Sequence, residues 1–107
     1  MHRTVRIRVL RRNLFSDLVS EVARPELASA LQACEVFREG QEFLIKGWPS
    51  KPDGFCDWAW NDIQKSVIAA SFGARKDGLR AQDSWIACCT DGLRPVVFQI
   101  EPIEASS

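Results

Sequence analysis

Two short segments concentrate the residues able to do chemistry. The first reads Gly54-Phe55-Cys56-Asp57-Trp58-Ala59-Trp60-Asn61-Asp62-Ile63 and sets a thiol, carboxylates and indoles within one loop-to-helix junction. The second reads Cys88-Cys89-Thr90-Asp91-Gly92-Leu93-Arg94. If the second folds back beside the first, Trp58, Trp60 and Trp85 can wall a pocket. Asp57, Asp62 or Asp91 then serves as acid or base, a cysteine as nucleophile or acid, and Arg94, with Thr90 nearby, holds a carboxylate or enolate. The catalytic candidates are Cys56, Asp57, Asp91 and Cys88; the ligand-binding candidates are Trp58, Trp60, Asp62, Trp85, Thr90 and Arg94. Isomerisation, dehydration or cyclisation of a small metabolite suits this set, because it needs proton transfer and no organic cofactor.

Two other readings stay open. Cys56 with Cys34, Cys88 or Cys89 could supply thiolates to a metal or redox site, so a metal ion is the one cofactor to consider. That spacing has no paired CxxC of the zinc-ribbon kind, and His2 is the only histidine. The third reading is structural: the cysteines are small buried residues, Asp57 caps a helix, Asp91 makes a turn, Arg94 is an ion-pair partner, and the tryptophans close the core or a subunit contact. No phosphate-cradling glycine loop is present, and a histidine triad has only His2 to draw on.

Length and charge bound these readings. A chain of 107 residues with 46% apolar and 26% charged content supports one hydrophobic core, hence one domain over 1–107 with a loose tail at 101–107. Fourteen basic and fourteen acidic residues cancel, so no global field draws in nucleic acid, and no nucleic-acid partner is expected. His2, Arg3, Arg6, Arg8, Arg11 and Arg12 crowd the first twelve residues without an acid among them, which reads as a solvated strand face rather than a phosphate- or carboxylate-binding patch. No apolar run approaches the roughly 20 residues of a membrane span, and the basic start lacks a signal peptide's apolar core. A cytoplasmic protein with reduced cysteines and no membrane partner is the expectation.

The elements that must position these residues follow from periodicity. Thr4 to Leu10 alternates with Val5, Ile7 and Val9 on one face, a half-buried strand. Phe15 to Ala23 predicts a helix capped by Asn13 or Ser16, with Phe15, Leu18, Val19 and Val22 as its apolar face. Pro25 begins a second short helix reaching about Ala33. A turn at Gly40 leads into a strand over Phe43, Leu44 and Ile45, and 47–54 is loop by composition.

Asp57 is the expected N-cap of the main helix, which runs to Phe72 with Gly73 as its stop. Ala59, Trp60, Ile63, Val67 and Ala70 form its core stripe. Trp58, Asp62, Lys65, Ala69 and Phe72 form a second stripe that must meet another element, a subunit or a ligand. Residues 74–83, which include Lys76, read as a surface loop. Ser84 to Cys89 is a strand, Asp91-Gly92 a tight hairpin turn, and Val96 to Ile100 the partner strand, with Pro95 at its beginning. In a strand Cys88 and Cys89 point to opposite faces, so at most one of them easily shares a site with Cys56.

Gly54 to Ile63 and Ile86-Ala87-Cys88-Cys89-Thr90-Asp91-Gly92-Leu93-Arg94-Pro95-Val96-Val97-Phe98 resemble the two signatures of a widespread family of uncharacterised small proteins of about this length. The opening strand, Cys34 and Gly40-Gln41-Glu42-Phe43 resemble it too. The resemblance implies a shared fold and a shared site and names no reaction. The sequence departs at Glu35, where a proline often follows the cysteine, and in 74–83, where a glycine- and aromatic-containing segment is usual. The fold expected is α+β: a small, mostly antiparallel sheet or partly closed barrel of four or five strands, with the 57–72 helix packed on it and one or two short N-terminal helices. The function expected is a small-molecule-binding protein, with or without enzymatic acid/base chemistry, and its second aromatic helix face predicts a homo-oligomer.

Overall fold

The computed structural model describes residues 3–75 and 77–103, so His2, Lys76 and the 104–107 part of the expected tail lie outside the described residues. The order of elements is β1 (Val5–Arg12), α1 (Ser16–Val22), α2 (Pro25–Ala28), β2 (Glu42–Ile45), α3 (Asp57–Ser71), β3 (Trp85–Cys88) and β4 (Val96–Pro102). The strands form one sheet in the order β2-β1-β4-β3, and every neighbouring pair is antiparallel. This is an α+β fold with an open sheet; β2 and β3 are its edges, so the barrel alternative falls away.

Alternation in β1 sends Val5, Ile7 and Val9 inward, where they meet Val96, Phe98 and Ile100 of β4. Helix α3 crosses this face, packing on β3, β4 and β1, and buries the expected stripe of Ala59, Trp60, Ile63, Val67 and Ala70. Phe37, Phe55 and Phe98 close one end of the core in edge-on contacts, with Phe37 lying 5.0 Å from Phe55 and 5.2 Å from Phe98 between ring centroids.

The opposite sheet face explains the basic N-terminal strand. Arg6 pairs with Glu101 and sits 4.0 Å from Glu42; Arg8 sits 3.9 Å from Glu42 and donates to Gln99 at 2.7 Å. The hydrogen bond to Glu101 raises the Arg6 guanidinium further above its ordinary value, against the opposing effect of desolvation. Arg12 pairs with Glu39 and donates to the Cys34 carbonyl at 2.9 Å, tying the 34–39 segment to the strand. Arg6 and Arg8 are thus matched by acids of the neighbouring strands, Glu42 and Glu101, and Arg12 by Glu39 in the turn before β2, on a half-exposed sheet face.

Several boundaries differ from the sequence reading. The tail does not begin at 101, because Glu101 and Pro102 pair with Arg6 and Val5 at the end of β4. Cys56 rather than Asp57 is the N-cap of α3, and Asp57 is its first helical residue. At the other end Gly73 adopts φ +83°, and a Cβ there would come within 2.8 Å of the Arg3 guanidinium. Neither Asn13 nor Ser16 caps α1, since Phe15 holds that position without a side-chain bond. Helix α2 stops at Ala28. No two-residue hairpin forms at Asp91-Gly92, because residues 89–95 separate β3 from β4.

Among the described residues, helices α1 and α2 pack on each other and on no other helix or strand. Of the apolar face expected for α1 only Val19 is buried, whereas Phe15 and Leu18 are exposed and Val22 is 65% exposed. The radius of gyration is correspondingly large, 15.5 Å against about 13 Å for a compact domain of this length, and the long axis reaches 54 Å. The α1–α2 pair is an arm.

Candidate functional site

The two signatures meet at a cavity of about 470 Å³ lined by three stretches: Cys34, Val36 and Phe37; Cys56, Trp58 and Ala59; and Cys89 to Gly92 with Arg94 and Val96. Each stretch has a local reason to be there. Phe37 is drawn into the aromatic core and brings Cys34 with it, while Arg12 holds the Cys34 carbonyl. Cys56 sits at the N-terminus of α3 because the core stripe fixes that helix against the sheet; its thiol makes no capping bond and is half-buried at the cavity wall.

Strand parity decides between the adjacent cysteines. Trp85 and Ala87 face the core side and Ile86 and Cys88 face outward, so Cys89 turns inward. Val96 N–H donates to the Cys89 sulfur at 3.3 Å, and Cys89 N–H donates to the Val96 carbonyl at 3.1 Å. Of the two, it is Cys89 that lines the cavity, whereas Cys88, set out as a site candidate, is exposed and does not line it.

A clamp holds the 89–95 loop against α3. The Trp58 indole N–H donates to Thr90 Oγ1 at 2.9 Å, and the Thr90 hydroxyl and backbone N–H donate to Asp62 Oδ2 at 3.0 and 2.7 Å. Trp58 and Asp62 are one helical turn apart, which is why both reach the same loop residue. Trp58, 63% exposed, lines the cavity, whereas Asp62 does not and acts as the anchor of the clamp.

Inside the loop the Asp91 carboxylate accepts the backbone N–H groups of Leu93 and Arg94 at 3.1 and 3.0 Å and lies 3.4 Å from Arg94 Nε. Partial burial alone would push this carboxyl up, but those N–H groups and the guanidinium outweigh it and hold it below the usual carboxylate range. Arg94 also reaches the Gln32 carbonyl at 3.5 Å. Asp91 is thus an ionised turn former at neutral pH and not a proton donor.

Other candidates lie elsewhere. Asp57 points to solvent and pairs with Lys51. Trp60 is buried against Phe55 at 6.0 Å, and Trp85 packs on the core; neither lines the cavity. Val36, Phe37, Ala59 and Val96 supply apolar walls that sequence reasoning did not assign to a site. Their only signal was apolar character, which core residues share.

The charged side chains at the cavity, Asp91 and Arg94, neutralise each other, and the remaining chemistry is that of three free thiols, Cys34, Cys56 and Cys89. Among the described residues no group of three or more His, Cys, Asp or Glu is placed to hold a metal ion. Nor, among them, is any helix long and apolar enough to cross a membrane. No family model, curated protein or solved structure matches the chain.

Proposed function

We propose that the protein binds a small, largely apolar, uncharged molecule in the cavity between the two signatures. The observation that carries this reading is the convergence of both signatures on one cavity of about 470 Å³, within the roughly 300–1,000 Å³ range of small-ligand sites. Its apolar walls and internally neutralised Asp91–Arg94 pair suit a neutral ligand, with the Trp58 ring at the mouth as a stacking surface. Kinship with the small-protein family that the signatures resemble belongs to this proposal, and so does residence in the cytoplasm. Four free thiols support a reducing compartment.

Carboxylate-driven isomerase, dehydratase or cyclase chemistry is less well supported than binding. Asp57 lies outside the cavity, Asp62 is engaged by Thr90, and both Asp91 oxygens are engaged within its own turn. If the site performs a reaction, its acid or nucleophile is a thiol, with Cys56 at the helix N-terminus the best placed.

A library of small apolar fragments, titrated into the ¹⁵N-labelled chain, tests the binding reading. Shifts should concentrate at the amides of Cys56, Ala59, Thr90 and Gly92. Val36→Trp, which fills the cavity from an exposed wall position, should suppress them. Shifts scattered over the surface, or unchanged in Val36→Trp, would refute it.

A further inference from the structure

We propose that the α1–α2 arm docks on a second copy of this chain, against the aromatic patch formed by Trp48 and Phe72. The arm presents Phe15, Leu18 and Val22 on one exposed helical face and, among the described residues, is packed on no other helix or strand of its own chain. Trp48 and Phe72 are 66% and 49% exposed, with ring centroids 6.0 Å apart. Exposed apolar surfaces of this kind mark interaction sites.

These two surfaces lie at opposite ends of β1. The arm hangs from its C-terminal end, where Asn13 and Phe15 donate to the Pro95 and Leu93 carbonyls. The patch lies at its N-terminal end, where Ile45 pairs with Val5 and Arg3 donates to the Ser71 carbonyl. An eight-residue strand separates them by roughly 25 Å at about 3.3 Å per residue, so an arm cannot fold back onto its own patch.

Charge argues for a second copy as the occupant. Helix α1 carries Asp17 and Glu21 and no base, while exposed Lys46 stands two residues before Trp48 and exposed Arg75 three residues after Phe72. Two copies in antiparallel alignment place each acidic, apolar arm on the other's basic, aromatic patch and close the assembly with a two-fold axis.

Sedimentation equilibrium of the full chain, combined with carbodiimide coupling of carboxylates to amines, tests the proposal. The chain should dimerise, and coupled peptides joining Asp17 or Glu21 to Lys46 should occur only in the dimer. Val22→Glu and Trp48→Glu should each weaken dimerisation about tenfold or more. Both positions are exposed, so the circular dichroism of each variant should match that of the parent. Glu21→Lys should weaken dimerisation and regain it when combined with Lys46→Glu. A monomer at all concentrations, a dimer indifferent to both apolar substitutions, or coupling of arm to arm would overturn the proposal.

Discussion

Replacing Asp91 with alanine removes the acceptor around which the 89–95 loop is built. Two backbone N–H groups lose their partner, at 3.1 and 3.0 Å, and Arg94 loses a neighbour at 3.4 Å. Each bond contributes about 0.5–1.5 kcal/mol, and the partly exposed ion pair adds only a few tenths after solvent screening. With water able to reach the freed groups in part, the expected loss is about 1–2 kcal/mol, or roughly 5–10 °C in melting temperature for a domain of this size. Asp91→Asn keeps the acceptor oxygen and should recover more than half of it.

The pH dependence has a definite sign. A carboxyl whose folded value is depressed contributes stability above its unfolded value near 3.9 and loses it as pH falls through the folded value. The gap between parent and Asp91→Asn should therefore be constant from about pH 5 to 8 and close below about pH 4. Thermal melts of the three proteins across that range provide the assay. An alanine variant as stable as the parent, or a gap that widens on acidification, would refute the reasoning.

Asp62→Ala should lower the melting temperature by about 5 °C through loss of the Thr90 bonds and should red-shift tryptophan emission as Trp58 is released. An unchanged spectrum would contradict the clamp. Phe37→Ala should cost about 3–5 kcal/mol in urea unfolding, because its ring is fully buried between Phe55 and Phe98. A cost below about 1 kcal/mol would place the ring outside the core. Alkylation timed by mass spectrometry should modify exposed Cys88 first and buried Cys89 last; the reverse order would contradict the strand parity.

The parts of this fold legible in the sequence are those set by local period. β1 declares its inner face by alternation, and the α3 core stripe follows from 100° spacing, because both patterns are written within a few residues. That stripe also claimed Trp60 for the core, and burial there outweighed a role at the pocket. Features decided by distant partners were not legible. Glu101 extends β4 because Arg6 stands opposite it, and the sequence alone does not pair the two.

Cys88 and Cys89 sit in an apolar run with no polar alternation, so only the pairing of β3 with β4 reveals which faces inward. At Asp91-Gly92 the dipeptide suggested a two-residue turn, but the Asp91 side chain bonds its own loop and organises a wider one. Likewise Asp57 had the composition of a cap, yet the helix begins one residue earlier and frees its carboxylate for Lys51.

The central claim, a ligand cavity shared by the two signatures, is tested most directly by thiol protection. A fragment that binds should slow alkylation of Cys34, Cys56 and Cys89 together while leaving Cys88 unaffected, since the first three line the cavity and the fourth faces solvent. Equal slowing of all four cysteines, or protection of Cys88 alone, would contradict it.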